Sequence, residues 1–249
     1  MSLQDSERIR LILNGSIPSM LLKLATPNMI SVIFMLVITY SEIFFAGQLG
    51  IIPLAAVAVV FPLVSLAGMI GQGAIGGGVV SALSRSIGSN DINRANFVVW
   101  HSIIVYSIIS ILFFVIFVGF SKHIFSLIGV EKEVVNEALT YSRIFFGFSP
   151  FIFLFFLLTS IFRAFGDYQY LARINIITGI AQLLLAGSLS LGWWFFPSLG
   201  LVGLALAMII PQAFASIYML ISIYRGRYNI SIKITSLRKD IFIDIFKVG

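Results

Sequence analysis

Cysteine is absent from the chain, which excludes disulfides, thiolate zinc sites, iron–sulfur clusters and cysteine nucleophiles, and leaves the redox compartment undetermined. Histidine is nearly absent: His101 and His123 are too few for a typical metal cluster, so no metal site is expected. Charge is scarce as well. Asp, Glu, Lys and Arg make up 10% of 249 residues, against 59% hydrophobic residues and a mean hydropathy of +1.05. Soluble domains carry about 25% charged residues, so the composition is that of an all-α, polytopic membrane protein with bilayer lipid as its solvent. The net charge of +6 does not imply nucleic acid, because the basic residues gather at the ends of apolar segments, where they act as topology signals.

What is abundant is long apolar sequence. Five long windows lack any Asp, Glu, Lys or Arg: 24–41, 43–84, 95–121, 144–162 and 174–224. A bilayer core of about 30 Å takes about 20 helical residues, so the last window must be cut. The cut falls at GWWFFPSLG, Gly192 to Gly200, where turn formers accompany the interface-seeking Trp193 and Trp194. Six transmembrane helices are expected, near 20–46, 53–83, 97–120, 135–162, 169–192 and 199–224. With a cytoplasmic N-terminus, thirteen of the sixteen Lys and Arg fall inside, and Lys122, Lys132 and Arg143 outside. That asymmetry places both termini in the cytoplasm, which makes glycosylation at Asn14-Gly15-Ser16 or Asn229-Ile230-Ser231 unexpected. The opening MSLQDSERIRLILNGS lacks the pattern of a removable signal peptide, so the first span is expected to direct its own insertion. The tail RKDIFIDIFKVG resumes an apolar rhythm. It reads either as a helix on the membrane surface or as the start of a seventh span.

Several motifs have ordinary explanations. GQGAIG, Gly71 to Gly76, matches a dinucleotide-binding fingerprint, but it lies inside an apolar window with no preceding strand. The better reading is close helix packing, with Gly73 and Gly77 at four-residue spacing. The phenylalanines of FFGFSPFIFLFF, Phe145 to Phe156, read mostly as lipid-facing bulk. Pro27, Pro62, Pro150 and Pro211 are expected to kink their helices. His101 and His123 read as interfacial or solvated. Protein-borne catalysis would need a second buried acid, base or nucleophile, and none is evident, so an enzyme is not expected.

Glu42 stands apart from these. It sits in LVITYSEIFFAGQLG, where a mid-bilayer carboxylate costs roughly 2.5 to 3.5 kcal/mol, so such residues usually face a bundle interior or a watery cavity. A carboxyl held in low dielectric can exchange protons near neutral pH. When ionised it can bind Na⁺ or an organic cation. The alternative is that Glu42, five residues before Gly47, reaches the outer surface and is simply solvated.

These residues resemble a known family. ATPNMISVIFMLVITYSEIFFAGQLG, followed by L-A-A-V, F-P-L and a Gly-rich run ending in S-R-S-I-G, is similar to the opening of a multidrug and toxic compound extrusion (MATE) transporter. RAFGDYQYLARINII, Arg163 to Ile177, resembles the family's R-G-x-G-D-T-R-T-P segment. The likeness covers about residues 15–249. It implies one six-helix lobe of a two-lobed transporter, residues 1–228, with residues 229–249 as the inter-lobe linker and the start of a truncated seventh helix. The implied function is cation-coupled antiport of small organic cations or drugs across the cell membrane, driven by H⁺ or Na⁺ and without a bound cofactor. The partners implied are membrane lipids and a missing C-terminal lobe or second half-chain, and no nucleic acid.

Residue by residue, the resemblance makes Glu42 the coupling acid and Pro27 a bend point fifteen residues before it, about 22 Å along an unbent helix. Gln182 and Asn175 become polar cavity groups, and Gly73 and Gly77 conformational positions. Departures accompany these. Ala186 stands where a second acid is usual, and G-D-T-R-T-P has become Gly166 to Leu171, with its threonines, arginine and proline lost. Two other readings remain at this level: a lipid-linked oligosaccharide flippase half, disfavoured by the lack of a mid-membrane Arg or Lys, and a non-transporting membrane interaction module or remnant.

Overall fold

The computed structural model describes residues 34, 36–194, 196–228, 230 and 232–247, and all regular structure among them is helical. The chain divides into two units, 1–40 and 41–249, and the packing reported below is that within the second. Helix α1 is described over Leu36–Leu49. The earlier part of the expected 20–46 span, Pro27 included, lies outside the described residues. Gly50, at φ 126°, supplies a backbone angle that a side chain would strain and separates α1 from α2, Ile51–Gly88. There follow α3 (Ile92–Gly119), α4 (Ser121–Leu127), α5 (Lys132–Gly147), α6 (Ser149–Ala164), α7 (Tyr168–Leu191), α8 (Gly200–Tyr224) and α9 (Lys239–Phe246).

Each of α2, α3, α7 and α8 is long and apolar enough to cross a bilayer. The expected continuous span 135–162 is instead α5 and α6, bent by 52° and together sufficient for a fifth crossing. The bend has a local cause. Phe148 leaves helical geometry, and Pro150, which lacks an N–H, occupies the first turn of α6, where that donor is not needed. Pro62 and Pro211 lie inside α2 and α8, which continue through them.

Helix starts follow local chemistry. Asp91 caps α3 by accepting from Arg94 N at 2.9 Å, and Asp167 caps α7 by accepting from Tyr170 N at 3.4 Å. At the opposite end, α7 and α8 form a tight hairpin. Gly192 ends α7 in the left-handed region, Leu199 N bonds Leu189 O at 2.8 Å, and a Cβ on Gly203 would lie 2.1 Å from that same carbonyl.

The expectation for the phenylalanine run is overturned. Phe145, Phe146, Phe153, Phe155 and Phe156 are buried, while Phe148 and Phe151 are exposed. Phe113 and Phe117 of α3 pack on Phe146, the latter stacked at 4.6 Å between centroids, and Phe113 lies 5.1 Å from Phe153. The 52° bend turns both halves of the run toward α3, so ring-on-ring packing holds the bundle where lipid offers no hydrophobic drive between helices.

Helix α2 contains one turn of π-helix, Met69–Ala74, which leaves carbonyls out of the regular ladder. Two side chains meet them. Tyr106 Oη donates to Gly71 O at 2.6 Å, and Arg163 Nη2 to Gln72 O at 3.3 Å, with Ser160 Oγ 3.0 Å away. The close approaches of the glycine run fall at Gly71, Gly76 and Gly78: an added Cβ would meet Phe156 at 2.3 Å, Ser160 Oγ at 2.8 Å and Ile245 O at 1.8 Å respectively. At Gly73 and Gly77 it would meet nothing within 4 Å among the described residues, where the close packing expected of that pair is carried by its neighbours.

The tail neither lies free nor points away. Ile241 and Ile245 of α9 are fully buried, and α9 packs on α2 and α3. His101, expected at an interface, is fully buried beside it, whereas His123 is exposed as anticipated.

Candidate functional site

Glu42 is buried, at 8% exposure, so the solvated reading of this carboxylate does not hold within the described residues. Helix α1 carries it, and the neighbouring Phe45 packs edge-on against Trp193 at the α7–α8 turn, 5.5 Å between centroids. From α5, the fully buried Tyr141 reaches across and donates its hydroxyl proton to Glu42 Oε1. Tyr141 Oη also lies 3.4 Å from Met208 Sδ on α8. A phenol has one proton to give, and a carboxylate is a far better acceptor than a thioether, so the ionised acid holds that proton. The site therefore joins α1, α5 and α8 at the half of the lobe that contains the α7–α8 turn.

The other expected polar groups are placed differently. Gln182 is buried on α7, at 8% exposure, one turn before the buried Ala186. Asn175 is exposed and lies seven residues earlier on the same helix, about 10 Å along its axis. The structure thus brings Tyr141 to Glu42, which sequence reading missed, and leaves Asn175 on an exposed face. Pro27 lies outside the described residues. No cluster of three or more His, Cys, Asp or Glu suited to a metal occurs among the described residues.

A second polar cluster ties the opposite end of the lobe. Asp167 Oδ2 accepts from Arg227 Nε at 3.0 Å, Arg227 Nη2 at 2.8 Å and Tyr228 Oη at 2.7 Å. The Arg227 guanidinium sits 4.1 Å over the Tyr170 ring, and Tyr228 stacks on Phe165 at 4.0 Å. Partial burial alone would raise the Asp167 carboxyl, but the Tyr228 hydroxyl and Arg227 guanidinium outweigh it and hold the group below the usual carboxylate range. Tyr228 is pushed well above the ordinary phenol value, by burial first and by the Asp167 carboxylate second. The altered segment Gly166 to Leu171 is therefore built into a latch between the α6–α7 turn and the end of α8.

A model of one transporter family, described as MatE, matches residues 27–187. The chain belongs to the MatE family. Its members are membrane transporters rather than enzymes, which agrees with the apolar spans. The multidrug export protein MepA of Staphylococcus saprophyticus is 27% identical over 229 residues, covering 90% of this chain and 49% of MepA. An FAD transporter of Shewanella oneidensis is 28% identical over 196 residues, covering 79% of this chain and 43% of that protein. Among solved structures, a MOP-superfamily transporter from Pyrococcus furiosus superposes with a TM-score of 0.80 at 24% identity, over 92% of this chain and 50% of its own. An outward-facing multidrug resistance MATE transporter gives 0.79 at 24% identity, over 91% and 50%. The chain spans about half the length of the curated relatives it matches.

Proposed function

We propose that this MatE chain is the N-terminal half of a cation-coupled antiporter that exports organic cations or drug-like amphiphiles by alternating access. A C-terminal lobe or second half-chain completes it across the central cavity. In this reading residues 1–228 form one lobe of a multi-pass protein of the cell membrane, both termini are cytoplasmic, and residues 229–249 lead toward the other lobe.

The observation that carries the proposal is the buried Glu42 bound by the neutral hydroxyl of Tyr141. An acid neutralised by Arg or Lys would stay ionised and idle; one held by a phenol can exchange H⁺ or Na⁺. When Glu42 is ionised, Tyr141 donates to it. Once protonated, Glu42 turns donor toward Tyr141 Oη, and the Tyr141 proton is left for Met208 Sδ, 3.4 Å away. Loading the acid thereby reverses the hydrogen bond between α1 and α5 and frees one from α5 for α8. Gln182 and Asn175 supply polar groups to the substrate cavity and Pro27 the bend. Gly73 and Gly77, open to their surroundings in this lobe, give α2 a smooth face along which another helix can slide.

Efflux by the two-lobed transporter carrying Glu42→Gln tests the coupling role. Efflux of a fluorescent organic cation that is undiminished and still pH-dependent would sink it. The Shewanella relative named for FAD suggests a larger, anionic substrate as the second reading, and flavin efflux measured in the same cells separates the two.

A further inference from the structure

The tail helix α9 is held on the lobe by contacts of three kinds. Ile241 and Ile245 are fully buried against it, and Gly78 of α2 must lack a side chain because the Ile245 carbonyl occupies that space. Arg94 of α3 pairs with Asp244 and lies 4.0 Å from Asp240, while Arg238 pairs with Asp240 at 3.0 Å. The third contact is His101 of α3. Its Nδ1 lies 2.7 Å from Phe97 O, one turn earlier, and its Nε2 lies 2.8 Å from the backbone N of Arg238, the residue that opens α9.

That geometry fixes the state of the ring. A backbone N–H can only donate, so Nε2 must be the unprotonated acceptor, and Nδ1 carries the proton and gives it to Phe97 O. Phe242 of α9 packs edge-on over the imidazole at 4.7 Å, so the ring is both anchor and wall for the helix.

We propose that α9 is a proton-sensitive clasp: neutral His101 fastens its first turn to α3, and protonation of His101 releases it. A protonated ring sets Nε2–H against the Arg238 N–H, so an accepted bond becomes a collision between two donors. Among the described residues the new charge also finds no free counter-ion: Asp91 caps the start of α3, ten residues and about 15 Å along the helix from His101. Arg94 and Arg238 already balance Asp240 and Asp244 within the joint. The other charges on the elements packed around this part of α3 are basic: Lys239 on α9, Arg85 on α2 and Arg163 on α6, the last occupied at the π turn. Helix α5 meets α3 at Phe113, about three turns further along. A buried unpaired charge is costly enough to expel the segment that buries it. Release would unfasten the tail from the α2–α3 end without involving Glu42.

The chain has no cysteine, so nitroxide labels at Asn93→Cys and Ile243→Cys, both exposed, report the joint in the full chain in lipid nanodiscs. The expected result is one narrow distance distribution while the ring is neutral that lengthens and broadens on acidification. His101→Gln places an amide oxygen near the Nε2 position without titrating, and is expected to keep the narrow distribution throughout. Ring ¹⁵N NMR of the otherwise unaltered chain, with His123→Gln to assign the two histidines, measures the charging of His101 directly and does not depend on the Gln variant folding. Release and His101 charging that share a midpoint support the clasp. A distribution unchanged at low pH, or release at a midpoint separate from His101 charging, overturns it.

Discussion

Tyr141 of α5 gives its only proton to Glu42 of α1 while its oxygen lies 3.4 Å from Met208 Sδ of α8, so one phenol has a single proton to share between two acceptors of unequal strength on two other helices. The arrangement makes Tyr141 as necessary to the site as the acid. Tyr141→Phe leaves the carboxyl buried without its donor, a loss worth about 1 to 3 kcal/mol. A lowered melting temperature in detergent, together with a changed pH profile of efflux, is the expected outcome. Met208→Leu keeps the volume and the Tyr141–Glu42 bond, and is expected to cost under about 1.5 kcal/mol. Comparing the two pH profiles shows whether the thioether takes part in the proposed exchange.

The glycines of α2 divide by what surrounds them. Gly71→Ala drives a methyl to 2.3 Å from the Phe156 ring, which packs edge-on against Phe153, itself seated on Phe113 of α3, and destabilises the lobe. Gly73→Ala and Gly77→Ala meet open space among the described residues and remove a helix-interior glycine, so each is expected to stabilise the lobe by about 0.5 to 1 kcal/mol. Thermal unfolding of the chain checks both directions. If Gly73 and Gly77 serve a sliding contact with a second lobe, the same substitutions depress efflux while raising stability.

Gly78→Ala tests the tail in a different way. The obstacle there is the Ile245 carbonyl at 1.8 Å, which is backbone and cannot swing aside, so α9 must leave its seat. Faster proteolysis within residues 232–247, with the helical content of the rest unchanged, is the expected signature.

Much of this architecture was legible in the apolar windows, because in lipid every backbone group must be satisfied internally and a long uncharged run is bound to be helix. The burial of Glu42 was legible for the converse reason, since a mid-bilayer charge is costly enough to be turned toward the bundle interior. Its partner was not, because Tyr141 is ninety-nine positions away and the fold alone brings the two together. A signal was present all the same: Val134, Ala138, Tyr141 and Phe145 recur at helical spacing and are all buried, and a hydroxyl on such a face requires an acceptor. The phenylalanine run misled because composition cannot tell lipid from protein as the apolar neighbour. The bend at Phe148 and Pro150 decides which rings turn inward. His101 was read from its position near a helix start, whereas its burial comes from α9, an element 137 positions later.

Asp167 gives the last prediction, and its sign follows from the direction of its shift. Tyr228 and Arg227 hold the folded-state carboxyl below the usual range, about 3.9 in an unfolded chain, so the latch adds stability above that unfolded value and loses it as pH falls through the folded one. The carboxylate is partly exposed, at 23%, and solvent screening keeps the contribution modest. Asp167→Asn removes the charge but keeps an oxygen that can cap α7, so it isolates the latch from the cap. The variant is expected to melt lower than the parent at neutral pH and to converge with it in strong acid, where the parent's own carboxyl is protonated. Arg227→Gln should behave in the same way, because it removes the other half of the pair. A Tyr228→Phe variant that melts like the parent at every pH would show instead that the guanidinium alone holds the turn between α6 and α7 against the end of α8.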